Sequence, residues 1–208
     1  MGKRDRKRRP ARRAPFRDVK PRILVVTEGE VTEPEYLEGF RKAARNPRVD
    51  IKYQKGAGVP KTIVEVAKAE KQAAERRAKN EQDDNLSYDE VWCVFDRDDH
   101  PNYEHAKQMA KDSELELAIS NPCIELWLYL HFAEQPGMQP RDKMLKMLKK
   151  HLPRYDKHVD FAQDFADGYQ AARKRAKRLD ENAMADGEEH RNPTTGVWRL
   201  TESIAKGA

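Results

Sequence analysis

The sequence predicts an α/β domain in which a parallel sheet is flanked by helices, with a helical C-terminal portion and a disordered basic N-terminal tail. Residues 22–27 and 91–95 are short, continuously apolar segments of the kind that form strands buried on both faces of a sheet. Helical periodicity follows each of them, and strands that alternate with helices favour a parallel sheet. The 208 residues suit one domain, or one domain with an appendage.

The positive charge of the chain is concentrated at its N-terminus. Residues 1–22 hold 11 Lys and Arg but only 2 Asp and Glu, whereas the whole chain has a net charge of +5, so the remainder is mildly acidic. We assign residues 1–21 to a flexible tail, because so few apolar side chains cannot form a core. Clustered cations bind phosphate backbones, although a solubilising segment has the same composition. The predicted nucleic-acid-binding residues are Lys3, Arg4, Arg6, Lys7, Arg8, Arg9, Arg12 and Arg13.

Composition argues against a membrane or secreted protein. No apolar stretch approaches the roughly 20 residues that cross a bilayer, and the N-terminus lacks the apolar segment of a secretory signal. The two cysteines, Cys93 and Cys123, match no metal-ligand spacing and lie in apolar surroundings. We therefore expect buried, reduced thiols in a cytoplasmic protein.

The elements of the domain, residues 22–208, follow in order. After the first strand, Thr32 is predicted to begin a helix, with Glu35 at capping-box spacing. Residues 49–54 alternate in polarity like a strand near a sheet edge, and residues 61–79 form a long charged helix. After the second buried strand, we expect a helix over residues 102–111 and a strand over residues 116–120.

The rest of the chain is predicted to be helical. Residues 124–132 are densely apolar and predict a buried helix, with Asn121 as its cap. A helical extension begins near residue 138, and residues 161–181 predict one long charged helix. Residues 192–195 are expected to form a turn that caps a short final helix, and no further strong strand is evident.

Acidic side chains follow both buried strands. Glu28 ends the first strand, and Asp96 and Asp98 follow the second. Ligands of open parallel sheets bind beyond the carboxyl ends of the strands, and carboxylates brought together there repel one another unless a cation intervenes. We therefore predict a Mg²⁺ or Mn²⁺ site held by these three residues. Taken alone, the Asp-Arg-Asp-Asp stretch is as easily a turn or a helix cap.

Further residues are candidates for supporting roles. Glu125 lies on an otherwise apolar helix, where a carboxylate is costly unless it is paired or binds a ligand, so we rank it fourth among the catalytic residues; the alternative is an exposed helix edge. Glu30 and Asp99 are auxiliary candidates that also suit a helix entry or cap. His100, His131 and Asn121 complete the auxiliary set, although single histidines are more often packed or capping residues.

Four motifs resemble those of a known family. The stretches T-E-G-E-V-T-E-P-E-Y (residues 27–36), V-F-D-R-D-D-H (94–100) and N-P-C-I-E-L-W (121–127) with His131, and N-P-T-T (192–195), are similar to motifs of RloB-like proteins. Glu28-Gly29 with Asp96-x-Asp98 also resembles the Toprim pattern of topoisomerases, DnaG-type primases and OLD-family nucleases. Together the motifs span roughly residues 22–200.

The resemblance implies a Toprim-like fold and metal-dependent cleavage of phosphodiesters in DNA or RNA. It also implies a role in anti-phage defence and a partner ATPase of the AAA type. Two alternatives stay open. In the first, the chain is a non-catalytic regulatory subunit that binds metal and nucleic acid. In the second, it is a phosphohydrolase or nucleotidyl transferase that acts on small nucleotides.

Overall fold

The computed structural model describes residues 20–54, 59–97 and 102–206. Within them, a single sheet contains strands β1 (Ile23–Thr27), β2 (Val49–Tyr53), β3 (Glu90–Asp96), β4 (Glu116–Asn121) and β5 (Thr194–Thr195). Their order is β2-β1-β3-β4-β5, with β5 antiparallel to β4 and all other pairs parallel. The predicted α/β class with a mostly parallel sheet is confirmed, and β2 lies at the edge as expected. The predicted tail residues 1–19, together with Asp98, Asp99 and His100, lie outside the described residues.

Helices cover both faces of the sheet. They are α1 (Thr32–Ala43), α2 (Pro60–Glu81), α3 (Tyr103–Asp112), α4 (Ile124–Tyr129), α5 (Arg141–His151), α6 (Tyr169–Ala185) and α7 (Val197–Ala205). Alternate residues of β1 point to opposite faces, so Ile23 and Val25 join the core shared with α1 and the C-terminal helices, whereas Leu24 and Val26 pack with α2 and α3. This burial on both sides explains the continuous apolar run of β1. No helix in these described ranges is long and apolar enough to cross a bilayer.

Two predictions of helix caps are wrong. Thr32 begins α1 as expected but does not form a capping box with Glu35, because its hydroxyl donates to the carbonyl of Lys157 (2.7 Å) and the N-cap is Val31. Asn121 does not cap α4, since Cys123 holds the N-cap position and the Asn121 amide donates to the carbonyl of His190.

The third correction concerns the long helix predicted over residues 161–181. A π-helical turn, Phe161–Phe165, is followed by a break before α6. The break lets both phenylalanines pack edge-on against Tyr36, with ring centroids 5.3 and 5.7 Å away. Gly168 lies in the break, where a Cβ atom would meet the carbonyl oxygen of His131 at 2.4 Å.

The late N-P-T-T motif extends the sheet. Residues 192–195 were predicted to be a turn that caps the final helix, but Thr194 and Thr195 form the two-residue strand β5 and Gly196 is the N-cap of α7. Thr195 shares a hydrogen bond with Ser120 (2.9 Å), and β5 pairs with β4. So short a strand carries no detectable period-2 pattern of its own. Its pairing brings α7 onto the core, where Leu200 and Ile204 are fully buried.

Candidate functional site

A cavity of about 310 Å³ opens at the carboxyl ends of β1 and β3. The two strands are parallel neighbours, so their ends meet at one edge of the sheet. Five carboxylates line the cavity, namely those of Glu28, Glu30, Glu33, Asp96 and Glu125. Two basic side chains, Arg141 and Lys157, also line it. The described members of the predicted acidic set therefore lie around one space.

Glu28 is held beside the end of β3 by two hydrogen bonds. Its backbone N–H donates to the carbonyl of Val94 (2.9 Å), which extends the pairing of β1 with β3 by one residue. Its carboxylate then accepts from the backbone N–H of Asp96 (3.1 Å). The side chains that end the two strands are therefore neighbours.

Glu33 brings another carboxylate to the cavity from the first turn of α1. It is 7% exposed, and burial raises its pKa, aided by the nearby charges of Glu125 and Glu28 and opposed by its own backbone N–H. Gly29 makes room for it, because a Cβ atom on Gly29 would lie 2.0 Å from Glu33 Oε2. Among the described residues, the carboxylate of Glu33 has no ion-pair partner.

Asp96, at the end of β3, is a buried carboxylate with a raised pKa. It is 8% exposed, and burial raises its pKa well above the ordinary value. The negative charge of Glu33 adds to this shift, and the Arg141 guanidinium opposes it. Arg141, the first residue of α5, donates to Asp96 Oδ2.

Glu125 is paired with a cation in a similar way. Its Oε1 accepts from Lys157 Nζ (2.6 Å) and from the Tyr155 hydroxyl (3.0 Å). Burial alone would raise the pKa of Glu125, but the hydrogen bonds from Lys157 and Cys123 outweigh burial, and the pKa lies below its ordinary value. Glu125 thus has the partner that a carboxylate on a buried helix needs.

The segment that carries Lys157 is fastened to the start of α1. Thr32 donates to the Lys157 carbonyl, and the Glu35 carboxylate accepts from His158 Nδ1 and from the Val159 N–H, both at 2.8 Å. Lys157 has a φ of 87°, which residues with a side chain rarely adopt. These bonds hold an uncommon backbone conformation that directs Lys157 at the cavity.

The donor set suits a hard divalent cation. Its side-chain donors are carboxylate oxygens, the ligands that Mg²⁺ and Mn²⁺ accept in proteins, and the buried carboxylate of Glu33 is directed into the cavity. Within the residues that the structure describes, no three His, Cys, Asp or Glu side chains are placed so that they could hold a metal ion together. Cationic side chains contact two of the carboxylates, Arg141 at Asp96 and Lys157 at Glu125.

Comparison with known proteins identifies the family. The family model described as RloB-like protein matches residues 23–204. The chain belongs to the RloB-like family. No curated protein and no solved structure gives a significant match. The matched region begins at β1 and ends in α7, so it contains every described residue that lines the cavity.

Of the auxiliary candidates in this RloB-like chain, some line the cavity and others do not. Glu30 is exposed and lines the cavity, two residues before α1 begins. Asn121 does not line the cavity, and its amide donates to the carbonyl of His190 (2.7 Å). Asp98, which was predicted as a metal ligand, lies outside the described residues with Asp99 and His100.

His131 does not reach the cavity. It is 5% exposed and lies among aromatic rings, with the rings of Trp127 and Phe165 4.9 and 5.0 Å away. Nδ1 must donate to the carbonyl of Trp127 (3.0 Å), so Nε2 accepts from the Tyr36 hydroxyl (3.1 Å). Burial lowers the pKa of His131 to about 4. In this RloB-like fold, His131 is a neutral core residue.

Sequence reasoning missed Glu33, Arg141 and Lys157. Glu33 left a usable signal, because the first turn of a helix that follows β1 must lie at the same sheet edge as Glu28. The two basic residues left none. They reach the cavity because α5 and the loop after it pack there. Arg141 is 45 residues from Asp96 in the sequence and Lys157 is 32 residues from Glu125, so no local sequence pattern predicts either contact.

Proposed function

We propose that this RloB-like protein is a Mg²⁺- or Mn²⁺-dependent nuclease that cleaves phosphodiester bonds in DNA or RNA. The supporting observation is the contact between the Glu28 carboxylate and the backbone N–H of Asp96, which unites the acidic ends of two parallel strands. We further propose that the sheet is Toprim-like, with Asp98 as the third ligand beside Glu28 and Asp96.

The chemistry of the proposal is simple. A divalent cation bound there would polarise the phosphodiester and lower the pKa of a bound water. Glu28 and Asp96 would hold the cation, and Glu125 and Glu33 would add negative charge around it. Glu33 and Glu125 are buried beside the cavity, so their charge would lie close to the cation.

The biological setting of the proposal rests on family resemblance. Resemblance to the RloB-like family implies a role in anti-phage defence and an AAA-type ATPase partner. The buried free thiols of Cys93 and Cys123 are consistent with the proposed cytoplasmic location. The basic residues between Lys3 and Arg13 are proposed to hold the nucleic-acid backbone.

A cleavage assay tests the proposal. Single- and double-stranded DNA and RNA are incubated with the full chain and Mn²⁺, and Asp96→Asn is compared with wild type. We expect Mn²⁺-dependent products from wild type and at least a hundredfold slower cleavage by the variant, as for loss of an essential electrostatic group. Asp84→Asn, at an exposed position outside the cavity, is the matched control and keeps wild-type activity.

The same assay separates the alternative. If wild type binds nucleic acid and Mn²⁺ but yields no product with any substrate, the chain is a non-catalytic regulatory subunit. Equal cleavage by wild type and Asp96→Asn would contradict the assignment of the active site.

A further inference from the structure

Two ion pairs in the cavity join a buried acid to an accessible base. The side chain of Asp96 is 11% exposed and that of its partner Arg141 is 49% exposed. Glu125 is 3% exposed and its partner Lys157 is 59% exposed. In each pair the side chain of the base is therefore much more exposed to solvent than that of the acid it contacts.

Departure of either base without a substitute would be costly. A buried carboxylate that loses its partner keeps the desolvation penalty of its charge, and the neighbouring carboxylates Glu28 and Glu33 would add repulsion. Either a proton or another cation must therefore neutralise the carboxylate as Arg141 or Lys157 leaves. A divalent ion carries enough charge to replace both.

We propose that Arg141 and Lys157 are exchangeable cations, which pair with Asp96 and Glu125 before the divalent metal binds and contact the phosphate backbone of the substrate afterwards. This inference rests on the proposed function, because it uses the same metal and the same substrate class. Both side chains come from one stretch of chain, α5 and the loop that follows it. Once displaced, a guanidinium and an ammonium group would remain at the mouth of the cavity.

The exchange has two consequences of opposite sign. Removing Arg141 frees Asp96 for the metal, so metal binding becomes tighter. It also removes a phosphate contact, so binding of nucleic acid to the metal-loaded protein becomes weaker and less dependent on salt. A residue that merely supported the fold would weaken both kinds of binding or change neither.

Mn²⁺ binding to the full chain tests the first consequence, with free Mn²⁺ measured by electron paramagnetic resonance in the absence of nucleic acid. For Arg141→Gln and Lys157→Gln we expect Mn²⁺ to bind about three- to tenfold more tightly than to wild type, as a typical coupling of one to a few competing contacts. Lys146→Gln is the matched control, since Lys146 is exposed on the same helix and does not line the cavity. Its Mn²⁺ affinity is expected to stay at the wild-type value.

Binding of a labelled single-stranded oligonucleotide with Mn²⁺ present tests the second consequence. We expect each cavity variant to bind about tenfold more weakly, with the slope of log affinity against log salt reduced by about 0.7. Unchanged or weaker Mn²⁺ binding by both variants, while wild type binds Mn²⁺, would overturn the exchange and leave the proposed nuclease intact. Absence of Mn²⁺ binding by wild type would overturn both proposals.

Discussion

At the scale of single residues, the absence of a side chain at Gly29 creates the space for a carboxylate. A methyl group there would meet the end of the Glu33 side chain, which is flexible and can move away. Gly39, on α1, also lacks space for a Cβ atom, but its obstacle is Phe161, whose Cβ would lie 2.6 Å away in the core. The two glycines therefore serve different purposes, one at the cavity and one in packing.

We predict that Gly29→Ala weakens Mn²⁺ binding by about tenfold while it lowers the free energy of unfolding by less than about 1 kcal/mol, because only one side chain has to move. Gly39→Ala is predicted to do the reverse, with a loss of about 1–3 kcal/mol from overpacking and unchanged Mn²⁺ affinity. Urea unfolding and Mn²⁺ titration of both variants measure the two quantities. Equal effects of the two substitutions on Mn²⁺ affinity would contradict the role of Gly29.

His131 gives a prediction about pH. Its pKa is lowered to about 4 in the folded protein, so its contribution to stability is complete above the ordinary value of 6.5 and is lost as the pH falls from 6.5 to about 4. The size of this loss is on the order of 3 kcal/mol. We expect His131→Gln to cost about 2–3 kcal/mol at pH 7 through its lost hydrogen bonds, with the difference from wild type shrinking toward pH 4.

Urea unfolding at several pH values measures this difference. His105→Gln, at an exposed position on α3, is the control and is expected to shift stability by less than about 0.5 kcal/mol. A difference between wild type and His131→Gln that stays constant from pH 7 to pH 4 would show that His131 is not held neutral by burial.

At the scale of elements, the bonds from α1 to the loop after α5 link the cavity side of the sheet to the C-terminal helices. Glu35 accepts from the backbone of Val159, two residues beyond Lys157. Charged acceptors strengthen such bonds to about 1.5–3 kcal/mol. The loop that presents Lys157 and Tyr155 to Glu125 is therefore fixed from the first turn of α1.

We predict that Glu35→Ala speeds amide exchange at Val159 by tenfold or more, because this N–H loses its acceptor. Hydrogen exchange followed by nuclear magnetic resonance measures the effect residue by residue. Glu38→Ala is the control, since the partners of Glu38 are Arg41 and Lys42 on the same helix. Equal protection of Val159 in Glu35→Ala and wild type would contradict the anchoring role.

The sequence predicted those elements whose pattern lies in adjacent residues, and it did not predict those that depend on tertiary contacts. β1, β3 and the start of α1 at Thr32 were predictable, because continuous apolar runs and helical periodicity are properties of adjacent residues. The break before α6 was not, since it depends on how Phe161 and Phe165 pack against Tyr36. The pairing of Arg141 with Asp96 was hidden for the same reason.

At the scale of the whole molecule, the C-terminal helices are part of the main core. Met144 and Leu148 of α5, Ala172 and Ala176 of α6, and Leu200 and Ile204 of α7 are fully buried in the same cluster as Ile23 and Val25 of β1. Each large apolar side chain buried there contributes about 1.5–3 kcal/mol. The helical extension predicted from near residue 138 is therefore needed to cover one face of the sheet.

We predict that a chain ending at residue 137 does not fold cooperatively, because α1 and α4 would lose most of their apolar partners. Thermal unfolding followed by near-ultraviolet circular dichroism tests this, and a chain that starts at residue 20 is the control. The control is expected to keep the wild-type midpoint within about 2 °C, since the buried core described runs from Ile23 to Ile204. A cooperative transition in the shortened chain would show that the sheet folds without its C-terminal helices.

The central claim, that the acidic ends of β1 and β3 hold a divalent metal, is tested most directly by diffraction from crystals soaked in Mn²⁺. We predict an anomalous peak in the cavity about 2–2.5 Å from carboxylate oxygens of Glu28 and Asp96, the range for divalent cations bound to oxygen, with Arg141 displaced from Asp96. Absence of a peak in the cavity at saturating Mn²⁺, with Arg141 still bound to Asp96, would contradict the claim.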